Sequence, residues 1–299
     1  MKKIFFIIIS IMMLATSCRQ KFQTTSSDQP IVDSSYYFEC NDSYQHHIVL
    51  HKEPLRIISL SPSITEMLLL LNEEKRLIAI TDYCPQEAAL ASIQRLGGLQ
   101  NINIETLLAL HPDLILYGSI VSKQDVEKME KAGLIAMSIK EEKDIEGLFS
   151  ALSILGQICR CDSVARTQIT DLRQRLLQVA SRQATHKKVY YVVGFGNGGD
   201  YTAPGNSHID NIITLAGGIN IGRSLTTWKI SREYIFSENP DVIMIRQENY
   251  DAFIHTYPYT LLKAVKNHQV FPIRSEWIDI VSPHNIEAIE LINSKIANI

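Results

Sequence analysis

Short apolar runs alternate with amphipathic stretches along most of the chain, beginning at residue 56. Each run is four or five residues long and rich in Ile, Leu and Val. Continuous apolar runs of this length are typical of strands in a parallel sheet whose two faces are covered by helices. Seven such runs occur, at residues 56–60, 77–81, 114–117, 135–139, 189–193, 242–245 and 270–273. The pattern predicts an α/β fold with mostly parallel sheets.

A long helical segment separates the first four of these runs from the last three. Leu148, Leu152 and Leu155 recur at helical spacing, residues 159–162 interrupt the period, and it then continues to Val179. A helix lying on a membrane surface has a similar pattern, but the moderate charge of this segment favours packing against a globular body. The predicted fold is therefore two Rossmann-like lobes joined by a single long helix, with the ligand cleft between the lobes.

Local motifs predict where some helices begin and end. Ser63 and Glu66 have the spacing of a capping box at a helix N-terminus, and Gly217 with Gly218 predicts a C-terminal cap. Residues 44–50 alternate between polar and apolar side chains, which predicts an added edge strand before the first lobe.

The N-terminal residues have the pattern of an export signal. Lys2 and Lys3 precede an apolar stretch at 4–14, which is shorter than the roughly 20 residues needed to span a bilayer. Small residues then lead to Cys18. This is the position, directly after the signal, at which a bacterial lipoprotein has its lipid-modified Cys. We therefore expect an exported protein that is anchored by lipid on Cys18 to a bacterial membrane and faces the periplasm. An ordinary signal peptide with an incidental Cys is the alternative.

Composition excludes several classes of protein. The 299 residues include 29 Lys or Arg and 32 Asp or Glu, a net charge of −3, and 45% are hydrophobic. These values exclude a disordered chain and a nucleic-acid binder held by bulk positive charge. At about 150 residues per domain, the chain is long enough for two domains. We divide it into a signal peptide at 1–17, a lipidated Cys and flexible tether at 18–53, an N-terminal lobe at 54–140, a helical connection at 141–185 and a C-terminal lobe at 186–299.

Four further cysteines leave the disulfide state open. Cys40, Cys84, Cys159 and Cys161 permit three pairings in an oxidising compartment. Cys159 and Cys161 lack the second pair, or the His partners, that a structural zinc site needs. We therefore predict no metal site and no resident cofactor.

One window of sequence occurs twice, once in each predicted lobe. Asn103 and Glu105 lead into an apolar helix that ends at a Pro-Asp pair before a strand, and Ser231 and Glu233 do the same. Asn103 and Ser231 are good N-cap residues, which places each Glu in the first helical turn. A first-turn Glu is commonly only a partner for the helix dipole. Because the pair is duplicated, it also suits a two-fold symmetric partner that presents Arg residues.

These windows belong to a longer series of motifs. In order, the chain carries RIISLSPSITE at 56–66, TDYCP at 81–85, GG at 97–98, NIE at 103–105, LLALHPDLIL at 107–116, WKISRE at 228–233 and NPD at 239–241. From about residue 54 to the C-terminus, the chain resembles the substrate-binding lipoproteins of ABC importers for iron-siderophores, haem and cobalamin. In that family one rigid helix joins the two lobes.

The resemblance implies a role for each of these features. Glu105 and Glu233 correspond to the glutamates that dock on arginines of a permease dimer, whose ATPase subunits drive ligand release. The helix near residues 163–184 corresponds to the interlobe helix, which implies a small closing motion. The resemblance thus implies a monomeric solute-binding protein, not an enzyme, that captures a metal chelate or corrinoid carrying its own Fe or Co. It would contact the membrane only through its lipid and would bind no nucleic acid.

The resemblance does not identify the ligand. Relatives that bind cobalamin have aromatic residues where this chain has Ile80, Leu99 and Gly118, and an Arg of the last cleft loop corresponds to Ile280 here. Other rings could still contact a large planar chelate, although any one of them could instead belong to a core. The cleft candidates are Ser61, Pro62, Tyr83, Cys84, Leu99, Tyr117, Gly118, Phe195, Asn197, Tyr201, Trp228, Arg246, Trp277 and Asp279.

Charged and metal-binding side chains define alternative ligands. An anionic siderophore calls for a cation in the cleft, and Arg246 and Arg95 are candidates, although either could lie on the surface. His208 and His284 lie in loops near the predicted cleft, without the spacing of a metal site. Cys84 is either near a metal centre or a small buried residue.

Two other functions are compatible with an α/β fold. A lipid-tethered scavenger or sensor without a permease would use the same cleft, but the duplicated glutamates would then have no partner. A secreted enzyme is disfavoured because the chain has no G-x-S-x-G, P-loop or H-E-x-x-H motif. The Gly-rich segment at 194–199 is not followed at once by a helix, as a dinucleotide-binding loop would be.

Overall fold

A computed structural model of the chain describes residues 36–99, 102–140, 144–182 and 185–299. The predicted signal peptide, Cys18 and the first part of the predicted tether lie outside the described residues, as does the predicted end of the interlobe helix at 183–184. The described residues contain two parallel sheets with helices on both sides, which confirms the predicted fold class.

The N-terminal lobe alternates strands with helices after an antiparallel hairpin. Its elements are β1 (Phe38–Asn41), β2 (His47–Leu50), β3 (Ile57–Ser59), α1 (Pro62–Leu70), β4 (Leu77–Ile80), β5 (Gln94–Arg95), α2 (Ile104–Ala109), β6 (Leu114–Tyr117), α3 (Lys123–Lys131) and β7 (Ala136–Ser138). Strands β3 to β7 form one parallel sheet in the order β5-β4-β3-β6-β7. The winding direction therefore reverses between β3 and β6, the place where open α/β sheets bind ligands.

Two long helices and a second parallel sheet follow. The elements are α4 (Ile145–Ile158), α5 (Asp162–Ala180), β8 (Lys188–Val192), β9 (Asp200–Tyr201), α6 (His208–Leu215), β10 (Ile219–Asn220), β11 (Lys229–Ile230), α7 (Arg232–Glu238), β12 (Val242–Arg246), α8 (Tyr250–His255), α9 (Lys263–Lys266), β13 (Val270–Ile273), α10 (Ser275–Ile278) and α11 (Asn285–Ile296). The sheet order is β10-β8-β12-β13, so this lobe reverses between β8 and β12.

Successive residues of each strand pack into different cores, as the alternation of side chains in a strand requires. Ile57 and Val242 belong to a large core that contains residues of both lobes and of α4 and α5. Their neighbours Ile58 and Ile243 belong to separate cores, one on the outer side of each lobe. Because the large core includes residues of both lobes and both connecting helices, the lobes are packed together as well as covalently joined.

The helix after the first strand begins earlier than the capping box predicts. Helix α1 starts at Pro62 with Ser61 as its N-cap residue, and the Ser61 carbonyl accepts the Thr65 N–H at 3.0 Å. The Ser63 hydroxyl instead donates to the Val281 carbonyl of the second lobe, and Glu66 is buried. Pro is well suited to the first helical position because its φ is already fixed near the helical value. The predicted capping box was wrong.

The segment assigned to the tether contains ordered structure. β2 confirms a strand near residues 44–50, but β2 pairs with β1 in a separate two-stranded sheet and is not an edge of the main sheet. Asp42 in the connecting turn is buried and accepts the N–H groups of Tyr44, His46 and Ser138. The last of these bonds fastens the hairpin to β7, so the fold begins before residue 54.

Candidate functional site

A cavity of about 530 Å³ lies between the two lobes. Its wall is mainly apolar, and each lobe contributes residues to it. The lining residues are Leu60, Ser61, Pro62, Ser63, Tyr83, Leu99, Gly118, Ser119, Ile120, His208, Asp279, Ile280 and Val281. Its size falls within the range of small-molecule sites, roughly 300 to 1,000 Å³.

The first lobe supplies the cavity wall from its switch point. Residues 60–63 follow β3 and residues 118–120 follow β6, and β3 and β6 are parallel neighbours. Because parallel strands end at the same edge of a sheet, these two loops meet there. Tyr83 comes from the loop after β4 and is 64% exposed, so most of its ring is available to a ligand.

An arginine holds the Tyr83 loop in place. The Arg95 guanidinium donates to the carbonyls of Cys84 at 2.9 Å and Pro85 at 2.8 Å, and at longer range to that of Thr81. Arg95 is therefore used to build the first-lobe wall, which leaves it less able to bind an anionic ligand.

The second lobe contributes a carboxylate that is already engaged. The Tyr191 hydroxyl, from β8, donates to Asp279 Oδ1 at 2.5 Å. The Nε atom of Arg246, at the end of β12, lies 2.8 Å from Asp279 Oδ2. The two side chains form an ion pair, but Nε is not oriented to donate a hydrogen bond. Burial, with Asp279 adding to it, raises the pKa of Tyr191, which stays neutral. The switch point of this lobe is thus closed by a tyrosine, an aspartate and an arginine.

The duplicated glutamates occupy equivalent places in the two lobes. The Asn103 side chain accepts the Thr106 N–H at 3.0 Å, and the Ser231 hydroxyl accepts a first-turn N–H of α7 at 3.1 Å. Both N-cap predictions are confirmed, and Glu105 and Glu233 are exposed in the first turns of α2 and α7. Each helix precedes the strand beside the switch point and runs antiparallel to it. Both glutamates therefore lie toward the edge of the sheet that carries the cavity.

Comparison with known proteins decides the family. The sequence profile described as "Periplasmic binding protein" matches residues 57–277, which is most of the chain. The chain belongs to this family.

Three relatives of this periplasmic binding protein illustrate the family. A cobalamin-binding protein of Halobacterium salinarum is 26% identical over 214 residues, which are 68% of this chain and 57% of the relative. A vitamin B12-binding protein of Vibrio cholerae is 24% identical over 242 residues, covering 79% and 87% of the two chains. An uncharacterized ABC transporter substrate-binding lipoprotein of Bacillus subtilis is 21% identical over 261 residues, covering 84% and 82%. The match thus spans little more than half of the Halobacterium relative.

Two solved structures share the fold. The vitamin B12 binding protein BtuF of Vibrio cholerae has a TM-score of 0.67 at 23% identity, covering 82% of this chain and 98% of that one. The haem binding protein HutB of Vibrio cholerae has a TM-score of 0.73 at 19% identity, covering 80% and 98%. These likenesses confirm the two-lobed architecture. The homologues are binding proteins for transport and not enzymes, which confirms the prediction that the chain is not an enzyme.

Six of the predicted cleft residues line the cavity of this periplasmic binding protein, and eight do not. Those that line it are Ser61, Pro62, Tyr83, Leu99, Gly118 and Asp279. Those that do not are Cys84, Tyr117, Phe195, Asn197, Tyr201, Trp228, Arg246 and Trp277. Arg246 still acts on the cavity through Asp279.

Several of the aromatic candidates are used in packing. Tyr117 is fully buried and stacks on Tyr44 of the hairpin, with ring centroids 6.3 Å apart. Phe195 packs edge-on against Phe253 and Tyr259 at 5.1 and 5.6 Å. A ring that follows a strand has the same sequence signal whether it faces the cleft or a core, so the sequence could not separate these cases.

The remaining ring candidates belong to the second lobe, where Tyr201 lies in β9, Trp277 in α10 and Trp228 just before β11. The Tyr201 hydroxyl donates to the Gly198 carbonyl, and Tyr201 pairs with Gly194 across the Gly-rich turn. Trp228 is exposed and its carbonyl accepts the Thr202 N–H. Trp277 is half-buried beneath an arginine. The Gly-rich segment is therefore a turn between β8 and β9.

Seven lining residues were not among the cleft candidates: Leu60, Ser63, Ser119, Ile120, His208, Ile280 and Val281. Among them, Ser63, Ser119, Ile120 and Val281 each lie within three residues of a candidate that does line the cavity. The sequence signal for Ser63, Ser119 and Ile120 was their position just after a predicted strand. Val281 carried no such signal, because it belongs to a loop between two helices.

The cysteines and histidines of the described residues form no recognisable metal centre. No group of three His, Cys, Asp or Glu side chains in these ranges is arranged to hold a metal ion. Cys40, Cys84, Cys159 and Cys161 all have free thiols, and Cys84 is buried 3.2 Å from the Thr65 hydroxyl. In the part of the chain that the structure covers, no helix is long and apolar enough to cross a bilayer.

Proposed function

We propose that this protein is the solute-binding subunit of an ABC importer, and that it captures a corrinoid or a related metal chelate between its lobes. The observation that carries the proposal is an apolar cavity of about 530 Å³ between the lobes. Two equivalent exposed glutamates lie at the same edge of the sheets as the cavity. Relatives named for binding cobalamin and vitamin B12 support the corrinoid class.

The charge of the cavity favours a ligand body without carboxylates. No Lys or Arg lines the cavity among the described residues, and Asp279 brings a negative charge to its wall. Arg95 and Arg246, the two cations that could have met an anion, are engaged by backbone carbonyls and by Asp279. An anionic siderophore would therefore lose its hydration without gaining a cation partner.

Delivery to a permease is the second part of the proposal. Glu105 and Glu233 would dock on arginines of the two permease subunits, and ATPase subunits would drive release. Export and a lipid on Cys18 would hold the protein at the membrane face where the permease stands. The lipoprotein relative of Bacillus subtilis supports this anchoring.

The test is calorimetric titration of the purified protein with cobinamide, cobalamin, haem and a ferric tricatecholate, which is an anionic siderophore. We expect a corrinoid to bind with Kd below about 1 µM, and the tricatecholate to bind at least tenfold more weakly. Ile280→Arg provides the matched variant, because Ile280 lines the cavity and an Arg there adds the missing cation. It should strengthen haem binding, because the added guanidinium can pair with a carboxylate of haem. Binding of none of the four ligands would refute the proposal.

A further inference from the structure

A smaller pocket lies beside the ligand cavity, between the same two lobes. Its volume is about 170 Å³. Four residues line both spaces, so the two are adjacent: Pro62, Tyr83, Asp279 and Ile280. The others that line the smaller space, which we call the side pocket, are Glu66, Pro85, Ser275 and Glu276. Three carboxyl groups thus line the side pocket, and among the described residues no Lys or Arg does.

One oxygen atom among these carboxyl groups lacks a partner. Glu66 is 4% exposed, and its Oε2 atom has no hydrogen-bond partner in the described part of the protein. Glu276, in contrast, accepts a hydrogen bond of 2.8 Å from Arg274, and Asp279 is held as described above. A buried polar atom without a partner is unfavourable and uncommon in native proteins. Glu66 is therefore the lining group with capacity left for a ligand.

The groups around Glu66 do not neutralise it. Burial raises the pKa of Glu66 to about 7; Ser282 and His284 oppose the rise, and Glu87 and Glu276 add to it. The Ser282 hydroxyl is directed to the Glu276 carbonyl at 3.4 Å. His284, whose positive charge lowers the pKa of Glu66, lies 3.6 Å from a carboxylate of α11, which also pairs with an arginine of α5.

We propose that the side pocket is a subsite for a hydrogen-bond-donating arm of the ligand, a primary amide or an ammonium group, and that Glu66 is the acceptor that selects it. The inference rests on the proposed function, since it assigns one arm of the ligand that the cavity binds. A carboxylate arm would add a further negative charge beside Glu66, Glu276 and Asp279 and would be rejected. A chelate that carries amide arms fits both the apolar cavity and the acidic side pocket.

The first test compares Glu66→Leu with the wild-type protein by calorimetric titration. Cobinamide and cobalamin carry primary amides, whereas haem carries two carboxylates. We expect Glu66→Leu to weaken corrinoid binding about tenfold, the effect of one lost buried hydrogen bond to a charged group, and to leave haem binding unchanged or stronger, because the variant lacks the negative charge of Glu66. Glu127→Leu is the control, because Glu127 is an exposed carboxylate on α3 that lines neither space.

The outcomes separate the subsite from the proposed function. If the wild-type protein binds no ligand of the panel, both fail. If the wild-type protein and Glu66→Leu bind a corrinoid with equal affinity, the function stands and the subsite is refuted. The same conclusion follows if Glu66→Leu weakens the binding of corrinoid and of haem equally. In the second of these cases Glu66 would act on the contact between the lobes and not on an arm of the ligand.

A second test does not depend on the folding of Glu66→Leu. A donor placed against Glu66 stabilises its ionised form, so corrinoid binding near pH 7 should release part of a proton. Titration in buffers of different ionisation enthalpy measures this release. The isosteric variant Glu66→Gln should bind the corrinoid without releasing a proton. No proton release in the wild-type protein, or equal release in Glu66→Gln, would overturn the assignment.

Discussion

The aspartates of the duplicated window hold the first strand of each lobe in place. Asp113 accepts the Arg56 N–H at 3.0 Å through its carboxylate, and its own N–H donates to the Arg56 carbonyl at 2.8 Å. Asp241 makes the same two bonds with Lys188, each of 2.8 Å. Each aspartate thus ties the strand beside the switch point to the strand that begins the lobe. This structural role explains why the Pro-Asp pair occurs twice.

The charge of Asp113 should make stability depend on pH. Burial acts to raise the pKa of Asp113, but the hydrogen bonds from Lys52 and Leu55 outweigh it and hold the pKa below its ordinary value of 3.8. A lowered pKa in the folded state contributes stability that is full above the ordinary value and is lost as the pH falls through the folded one. Asp113→Asn should therefore lower the free energy of unfolding by about 1 kcal/mol near pH 7 and by less near pH 3.

Urea denaturation at the two pH values measures this difference. Asp171→Asn is the control, because Asp171 is exposed on α5. An equal loss for Asp113→Asn at both pH values would mean that the carboxylate charge is not what stabilises the strand.

The contribution of Glu66 to stability should depend on pH in the opposite direction. Its pKa is raised by burial from 4.5 to about 7, so the folded state holds a proton that the unfolded state has already lost. Stability therefore falls as the pH rises from about 4.5 to about 7, and the full penalty remains above that range. Glu66→Gln removes the penalty and should raise the free energy of unfolding by about 1 to 3 kcal/mol near pH 8, with almost no change near pH 4. A destabilised Glu66→Gln at pH 8 would contradict the raised pKa.

At the scale of elements, strands were predictable where they are buried on both faces. The runs that became β3, β4, β6, β8 and β12 are mostly apolar because helices cover both sides of each sheet. β5 and β9 to β11 have only two residues each, too few to establish a period. The start of α1 was misplaced because the Ser-Glu spacing was preferred over the Ser-Pro pair just before it. Gly217, at φ +84°, confirms the predicted cap of α6.

The N-cap of α7 tests whether that helix end depends on its serine. The Ser231 hydroxyl accepts the Tyr234 N–H, one of the donors that a helix N-terminus leaves unpaired. Ser231→Ala should lower the free energy of unfolding by about 1 kcal/mol, whereas Ser231→Asp should keep most of it because Asp also caps and suits the helix dipole. Chemical denaturation of the two variants measures the difference. Equal losses in both would show that packing of α7, and not its cap, stabilises the helix end.

At the scale of the whole molecule, the large shared core connects the two lobes. It contains residues of α1, α4, α5 and α11, and Arg175 of α5 forms ion pairs of 3.0 and 2.7 Å with Glu287 and Glu290 of α11. The position of the cavity could be predicted from the order of strands and helices, because ligands bind at switch points. The side pocket could not be predicted from the sequence, since Glu66 and Asp279 come together only when the two lobes are packed together.

The two glutamates lie on different lobes, so whether the protein docks on a permease depends on the whole molecule. Glu105 and Glu233 are exposed and line neither the cavity nor the side pocket, so replacing both should leave ligand affinity within about twofold. If they engage arginines of two permease subunits, the double variant Glu105→Ala with Glu233→Ala should lose both contacts and almost all uptake. Each single variant should retain part of it. Uptake of labelled ligand by cells and calorimetry of the same variants measure the two properties, with Glu127→Ala as the control. Normal uptake by the double variant would instead support a tethered scavenger, because that function requires the cleft but no docking surface.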